Sequence, residues 1–198
     1  YFPNANRVFI EKTYRNPQEL IDIAGNFIMK NESQFKKSLK SDKSIEKPVK
    51  IIFDRDSDSI YNLIYNLSKD NERVFILGRY NGDIDKFIFD TGLVKKSKGS
   101  YKQITNDYES IKNVEYRTIH KAKGLEADYV ILLQCNKDTY GFPSLVSDDP
   151  VLNYVLTKSD QFPYGEERRL FYVAITRAKL KTLVLYDKRF PSVFVDEF

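Results

Sequence analysis

An arginine beside the end of a patterned segment is the first feature here that could do chemistry. In residues 166–179, Glu-Glu-Arg-Arg-Leu-Phe-Tyr-Val-Ala-Ile-Thr-Arg-Ala-Lys, the apolar residues Leu170, Val173, Ala174 and Ala178 recur at three- and four-residue steps. That spacing predicts a helix with one buried stripe. Arg177 falls near its end, next to Thr176. A guanidinium on a packed helix can aim a permanent, forked positive charge at a phosphate. Taken alone, the pattern also describes a solvated arginine on an amphipathic helix. Two further stretches carry groups of the same kind. Arg15 sits in Tyr14-Arg15-Asn16-Pro17, a strand-to-helix turn, where open parallel sheets put ligands. Lys121-Ala122-Lys123-Gly124 forms a turn after a probable-strand pattern over 114–119. Parallel topology is expected to gather such strand ends along one edge, where a nucleotide or a nucleic-acid backbone could lie.

Other chemistries lack their residues. No Gly-x-x-x-x-Gly-Lys-Ser/Thr occurs, so no P-loop is present. With one His and one Cys, a structural zinc site and an internal disulfide are both excluded. Cys135 as the sole cysteine fits a reducing, cytoplasmic setting. No paired nucleophile and base supports serine- or cysteine-type hydrolysis. The stretch Val193-Phe194-Val195-Asp196-Glu197 superficially resembles a metal-holding strand, but its terminal position reads as a surface tail. A net charge of +4 permits nucleic-acid binding without demanding it. The longest uncharged apolar run, 129–133, is far too short to span a membrane. The chain starts at Tyr1 without an initiator Met or basic leader, which reads as part of a longer protein.

The elements that must position these groups alternate. Strands are predicted over 7–13, 49–54, 73–79, 114–119, 128–135 and 181–186. Run 128–135 is the most continuous and reads as a central strand buried on both faces, with 181–186 closing the sheet. Helices are predicted after Asn16, a candidate N-cap before Pro17, with Leu20, Ile23, Ala24, Phe27 and Ile28 as its apolar face. A second follows Asp56 or Ser57, with Ile60, Leu63, Ile64 and Leu67, and a short one covers 83–89. Residues 31–47 read as a mobile polar loop, 91–113 as a hairpin or extended loop, and 136–164 as a long excursion with a short helix over 150–156. A terminal helical turn is expected within 191–198. Such alternation predicts an α/β domain, a parallel sheet with helices on both faces.

Longer motifs identify a family. Thr118-Ile119-His120-Lys121-Ala122-Lys123-Gly124-Leu125-Glu126 resembles the fifth helicase motif of the UvrD/Rep group of superfamily 1. Residues 167–178 resemble its sixth motif, Thr13-Tyr14-Arg15-Asn16 its fourth, and Leu77-Gly78-Arg79-Tyr80-Asn81 the segment between the fourth and fifth. Gly141-Phe142-Pro143, the long sixth motif and the Pro191-Ser192-Val193-Phe194 ending are similar to the helicase IV branch.

The resemblance implies that residues 1–198 form the C-terminal, second RecA-like motor domain of an ATP-dependent DNA helicase, inert alone. ATP would lie between it and an N-terminal RecA-like domain of the same chain that carries the P-loop and holds Mg²⁺. By the same resemblance Arg177 is the arginine finger and Arg15 a second γ-phosphate contact. Glu126 and Gly124 approach the nucleotide, while Thr118, His120, Lys123 and Arg79 contact single-stranded DNA or a single-strand/duplex junction. It further implies 3′-to-5′ movement and a bacterial or phage, nucleoid-associated, cytoplasmic protein with no membrane contact. Arg168 and Arg169 read as structural ion-pairing residues. The alternative is an ATP-coupled module that remodels a protein partner such as RNA polymerase; a nuclease-linked motor would need a further domain. Two departures stand out. Residues 91–113 are too short for the accessory domain that most relatives insert there, and Lys121 with Ala127-Asp128 replaces residues often small or aromatic elsewhere.

Overall fold

The computed structural model describes residues 11–34, 38–53, 57–68, 70–91, 93–96, 100–103, 113–146 and 162–198. Within them β1 (Val49–Phe53), β2 (Val74–Gly78), β5 (Val114–Thr118), β6 (Ala127–Leu132) and β7 (Ala178–Tyr186) form a parallel sheet in the order β1-β7-β6-β2-β5. The helices are α1 (Gln18–Met29), α2 (Ser57–Ser68), α3 (Asp83–Thr91) and α4 (Gly165–Ile175). A two-stranded antiparallel hairpin, β3 (Leu93–Lys96) with β4 (Ser100–Gln103), realises the hairpin expected within 91–113.

Strand β6 is central, as its unbroken apolar run requires. Its alternate side chains enter two different cores. Val130 and Leu132 join Phe75 and Leu77 of β2 beneath α1 and α4. Ile131 joins Val74 and Ile76 against α2 and α3, with Ile60, Ile64, Ile84 and Phe87. The sheet is therefore covered on both faces, as alternating strands and helices predicted.

Several expectations are corrected. Strand β7 does not close the sheet; it lies between β1 and β6, and β1 and β5 are the edges of the described sheet. The backbone shows why β7 can sit inside: of its nine residues, five are buried, alternation giving way to a continuous apolar run over Leu183, Val184 and Leu185. Asn16 does not cap α1. Pro17 occupies that position with an extended backbone (φ −68°, ψ 155°) and no side-chain cap. Loop 38–47 is fastened to the first turn of α1: Gln18 Oε1 accepts from the Ser41 N–H at 2.8 Å and Glu19 Oε2 from the Ile45 N–H at 2.9 Å. Most of the strand expected over 7–13 lies outside the described residues, although Lys12 makes a parallel bridge to Lys40. The expected cap at Asp56 and the helix over 150–156 also lie outside them.

The terminal segment is no surface tail. Phe194 is fully buried, Val195–Glu197 forms a 3₁₀ turn, and Glu197 pairs with Arg168 at 2.6 Å. Arg168 is itself buried on α4, donates to the Phe27 carbonyl at 3.0 Å, and lies 4.4 Å from the Phe27 ring centre and 5.1 Å from that of Phe194. Phe27, Phe171 and Phe194 pack ring on ring at 5.0–5.4 Å around it. One guanidinium thus ties α1, α4 and the terminal turn together, as the structural reading of Arg168 required. Burial opposes ionisation of Glu197, but the bonds from Arg168 and Lys30 outweigh it and hold its pKa below the ordinary 4.5. A depressed folded pKa means stability present above pH 4.5 and lost as pH falls through the folded value. We expect Glu197→Ala to lower the unfolding free energy at pH 7 by about 3 kcal/mol, because it strands a buried charge. Urea denaturation should show this, and the variant should lack part of the wild-type loss of stability below pH 4.5.

Candidate functional site

The site residues fall on two opposite edges of the sheet. At the N-terminal edge, Ala127 of β6 is in register with Ala178 of β7, so the residues just before them, Glu126 and Arg177, emerge side by side. The Ala127 N–H donates to the Arg177 carbonyl at 3.1 Å, which locks that register. Helix α4 ends at Ile175, so Arg177 lies in the tight turn into β7 and not on the helix. Its guanidinium donates through Nε to the Val173 carbonyl at 3.0 Å and through Nη1 to the Leu125 carbonyl at 3.2 Å. Two anchors of this kind fix the fork, and burial followed by the field of Arg15 lowers its pKa. It remains a cation, and one that would gain from an arriving anion.

Arg15 arrives from the loop before α1. Its Nε donates to Glu126 Oε2 at 2.9 Å, while Lys179 binds the other oxygen of Glu126 at 3.1 Å. These two bonds, Arg15 before Lys179, hold the carboxylate below the usual range. The buried Asn16 amide donates to the carbonyls of Thr176 at 3.0 Å and Ala178 at 2.7 Å, on either side of Arg177. A cleft of about 300 Å³ opens between Arg15, Asn16, Tyr172, Thr176 and Arg177. It adjoins one of about 580 Å³ lined by Tyr14, Arg15, Lys43, Glu126 and Lys179. Cations outnumber acids in the described lining, which is the condition for holding a polyphosphate.

The C-terminal edge carries the second group. Gly78 and Thr118 are paired at the ends of β2 and β5. A side chain at Gly78 would meet the Tyr116 hydroxyl at 2.5 Å and Asp83 Cβ at 2.8 Å, so only glycine lets the chain turn there. Arg79 follows, and its guanidinium is held by Glu167 at 2.8–2.9 Å. Glu167 also accepts from the Ser144 N–H at 3.0 Å. Thr118 is buried and its hydroxyl accepts from the Lys121 N–H at 3.4 Å, starting the 3₁₀ turn His120–Ala122. His120 and Lys123 are exposed. Partial desolvation of the ring first, then the fields of Arg79 and Lys123, lower the His120 pKa against the opposing pull of Glu167 and Glu166.

Two elements cross the sheet between these edges. Residues 119–126 run from the end of β5 back to the start of β6, passing over β2. Ile119, Ala122 and Leu125 press this crossover into the core. Gly124 serves it through a left-handed backbone (φ +84°), a conformation that costs other residues energy. Helix α4 runs the same way, from Glu167 beside Arg79 to the turn holding Arg177, about 16 Å for 11 residues.

A model of the UvrD-like helicase C-terminal domain matches residues 78–189. The chain belongs to this family. DNA helicase IV of Escherichia coli K12 is 30% identical over 196 residues, covering 98% of this chain and 27% of that protein. A protein named "Probable DNA helicase II homolog" from Mycoplasma capricolum is 26% identical over 193 residues, 93% of this chain and 24% of its own length. The chain thus spans about a quarter of the length of the curated relatives it matches. In structure it is similar to the C-terminal domain of a possible DNA helicase from Lactobacillus plantarum WCFS1, with a TM-score of 0.55, 14% identity and 93% coverage of both chains. That likeness concerns the fold, a RecA-like parallel sheet with helices.

This UvrD-like C-terminal domain gathers Arg15, Glu126 and Arg177 at one edge and Arg79, Thr118, His120 and Lys123 at the other. The single edge expected from topology is therefore two edges. Sequence reasoning missed Asn16 as a clamp, Lys179 as the second partner of Glu126, and Glu167 as the holder of Arg79. It also missed Tyr14, which is 72% exposed at the mouth of the larger cleft. Only Asn16 left a signal, since an asparagine beside an arginine in a turn can bond neighbouring backbone. We expect Asn16→Ala to cost about 1–3 kcal/mol in urea unfolding, the range for stranding buried acceptors. Because the chain has one histidine, its imidazole proton resonance in an NMR titration should report a pKa below 6.5 and move toward that value in Lys123→Ala.

Proposed function

We propose that this domain is the C-terminal motor half of an ATP-driven helicase or translocase on single-stranded DNA. The observation that carries the reading is the clamping of Arg15 beside Arg177, joined by two packed elements to the basic group on the far edge. ATP would bind in the cleft at the N-terminal edge, between this domain and a P-loop-bearing RecA-like domain of the same protein. Arg177 would act as the arginine finger on the transferring phosphoryl group, with Arg15 as a second contact. Glu126, already bonded to both Arg15 and Lys179, would trade these partners when polyphosphate arrives. Tyr14 offers an aromatic face beside the same cleft for the base. Gly124 contributes backbone shape. Among the described residues no group of three acidic, histidine or cysteine side chains is placed to hold a metal. Mg²⁺ would be held mainly by the P-loop-bearing domain.

At the C-terminal edge, Thr118, His120, Lys123 and Arg79 would follow the strand backbone. Contacts of this kind are indifferent to sequence, which suits stepping along any strand. A shift of phosphate-bound Arg15 and Arg177 would be passed along α4 and the 119–126 crossover to that edge. Among the described residues no helix is long and apolar enough to cross a membrane.

The test is the single-strand-stimulated ATPase rate of the full-length protein, wild type beside Arg177→Ala. Strong stimulation is expected in the wild type, with a loss of at least about a hundredfold in the variant. Hydrolysis that needs Arg177 but ignores DNA would favour remodelling of a protein partner. Normal hydrolysis by the variant would overturn the finger assignment.

A further inference from the structure

A tyrosine stands in solvent beside the basic group on the C-terminal edge, and no role proposed above uses it. Tyr140 is 65% exposed, within the loop that follows β6. We propose that Tyr140, backed by Tyr80 and Arg79, is a base-stacking subsite for single-stranded nucleic acid. This rests on the reading that the C-terminal edge holds the strand.

The support beneath Tyr140 is fixed at several points. Its ring meets the Tyr80 ring edge-on, 5.6 Å between centres at 83°. The Tyr80 hydroxyl and Ser144 Oγ share a hydrogen bond at 2.6 Å. The Tyr80 N–H donates to Asp83 Oδ2 at 2.8 Å, and the Tyr116 hydroxyl donates to the Tyr80 carbonyl. The Arg79 guanidinium lies 5.1 Å from the Tyr80 ring centre and is held in place by Glu167.

The loop itself is equally constrained. Next to Tyr140, the Gly141 N–H donates to the Asp138 carbonyl at 3.0 Å, and Phe142 is fully buried against Phe171 at 5.3 Å. A side chain at Gly141 would sit 2.0 Å from the Asn136 carbonyl oxygen, so the backbone here approaches itself as only glycine allows. The Lys137 N–H donates to the Phe190 carbonyl at 2.9 Å.

A rigidly supported aromatic ring left in water is what a stacking platform needs, since little side-chain freedom is lost when a base arrives. Every base has a flat π-face, so the subsite would accept any sequence. Arg79, His120 and Lys123 supply phosphate contacts alongside it. Tyr140 would then give grip that depends on bases and little on salt, where the cations give grip that depends on phosphates.

The experiment compares binding of two labelled strands to the full-length protein by fluorescence anisotropy: oligothymidylate, and an abasic strand of equal length and charge. Wild type should prefer the thymidylate by about tenfold, in the range expected for stacking. Tyr140→Ala should lower that preference at least about fivefold and leave abasic binding unchanged, while Tyr140→Phe should keep it. Because the side chain is largely exposed, the variants should melt with the wild type. Equal preference in wild type and Tyr140→Ala would overturn the subsite but leave the strand-binding edge standing. Failure of the wild type to bind either strand would overturn both.

Discussion

Two like charges stand together at the N-terminal edge because one buried amide leaves them no alternative. The Asn16 side chain donates to the carbonyls of Thr176 and Ala178, the residues flanking Arg177, and so fastens the loop carrying Arg15 to the turn carrying Arg177. Arg15 opposes the charge of Arg177, and two guanidinium groups free in water would drift apart. Here backbone acceptors and the Glu126 carboxylate absorb part of that repulsion. What remains is a preorganised deficit of negative charge. A site of this kind costs little reorganisation when an anion arrives, which is the usual basis of electrostatic catalysis.

Everything between that edge and the opposite one is short and packed. The crossover from β5 to β6 uses eight residues, 119–126. Fully extended they reach at most ~27 Å, against ~17 Å for five residues of strand. The chain length alone leaves roughly 10 Å of slack; what ties the two ends together is packing, with Ile119 and Ala122 buried in the core. Helix α4 makes the second connection, with Glu167 gripping Arg79 at its start and Arg177 just beyond its end. Both connections sit on the same core cluster with α1. A displacement at either edge would therefore meet close-packed side chains.

That core has an uncommon centre. A guanidinium, Arg168, lies among phenylalanine rings and is matched by Glu197 from the last turn of the chain. Replacing such a pair by apolar residues need not lower stability, but separating it does. The pair joins α4 to the terminal turn.

Among the described residues the amino-acid pattern alone determined the types of the sheet strands and of the helices α1 to α4, the parallel α/β class, the central position of β6 and the family, because these follow from local periodicity and from contiguous motifs. Residues 167–178 and 118–126 are read in one pass along the chain. It did not determine the place of β7, since an apolar run says that a strand is buried but not between which neighbours. Nor did it separate the two edges: strand ends look alike in sequence, and only the register of Ala127 with Ala178 and of Gly78 with Thr118 assigns them. The partners of the site residues were hidden for the same reason. Asn16 meets Thr176 across 160 positions, Arg15 meets Glu126 across 111, and Arg79 meets Glu167 across 88. Glu197 looked like a tail residue because its charge suits water, and only the tertiary structure supplies the buried arginine that draws it in. Contacts at such separations depend on how layers stack, which no local propensity encodes.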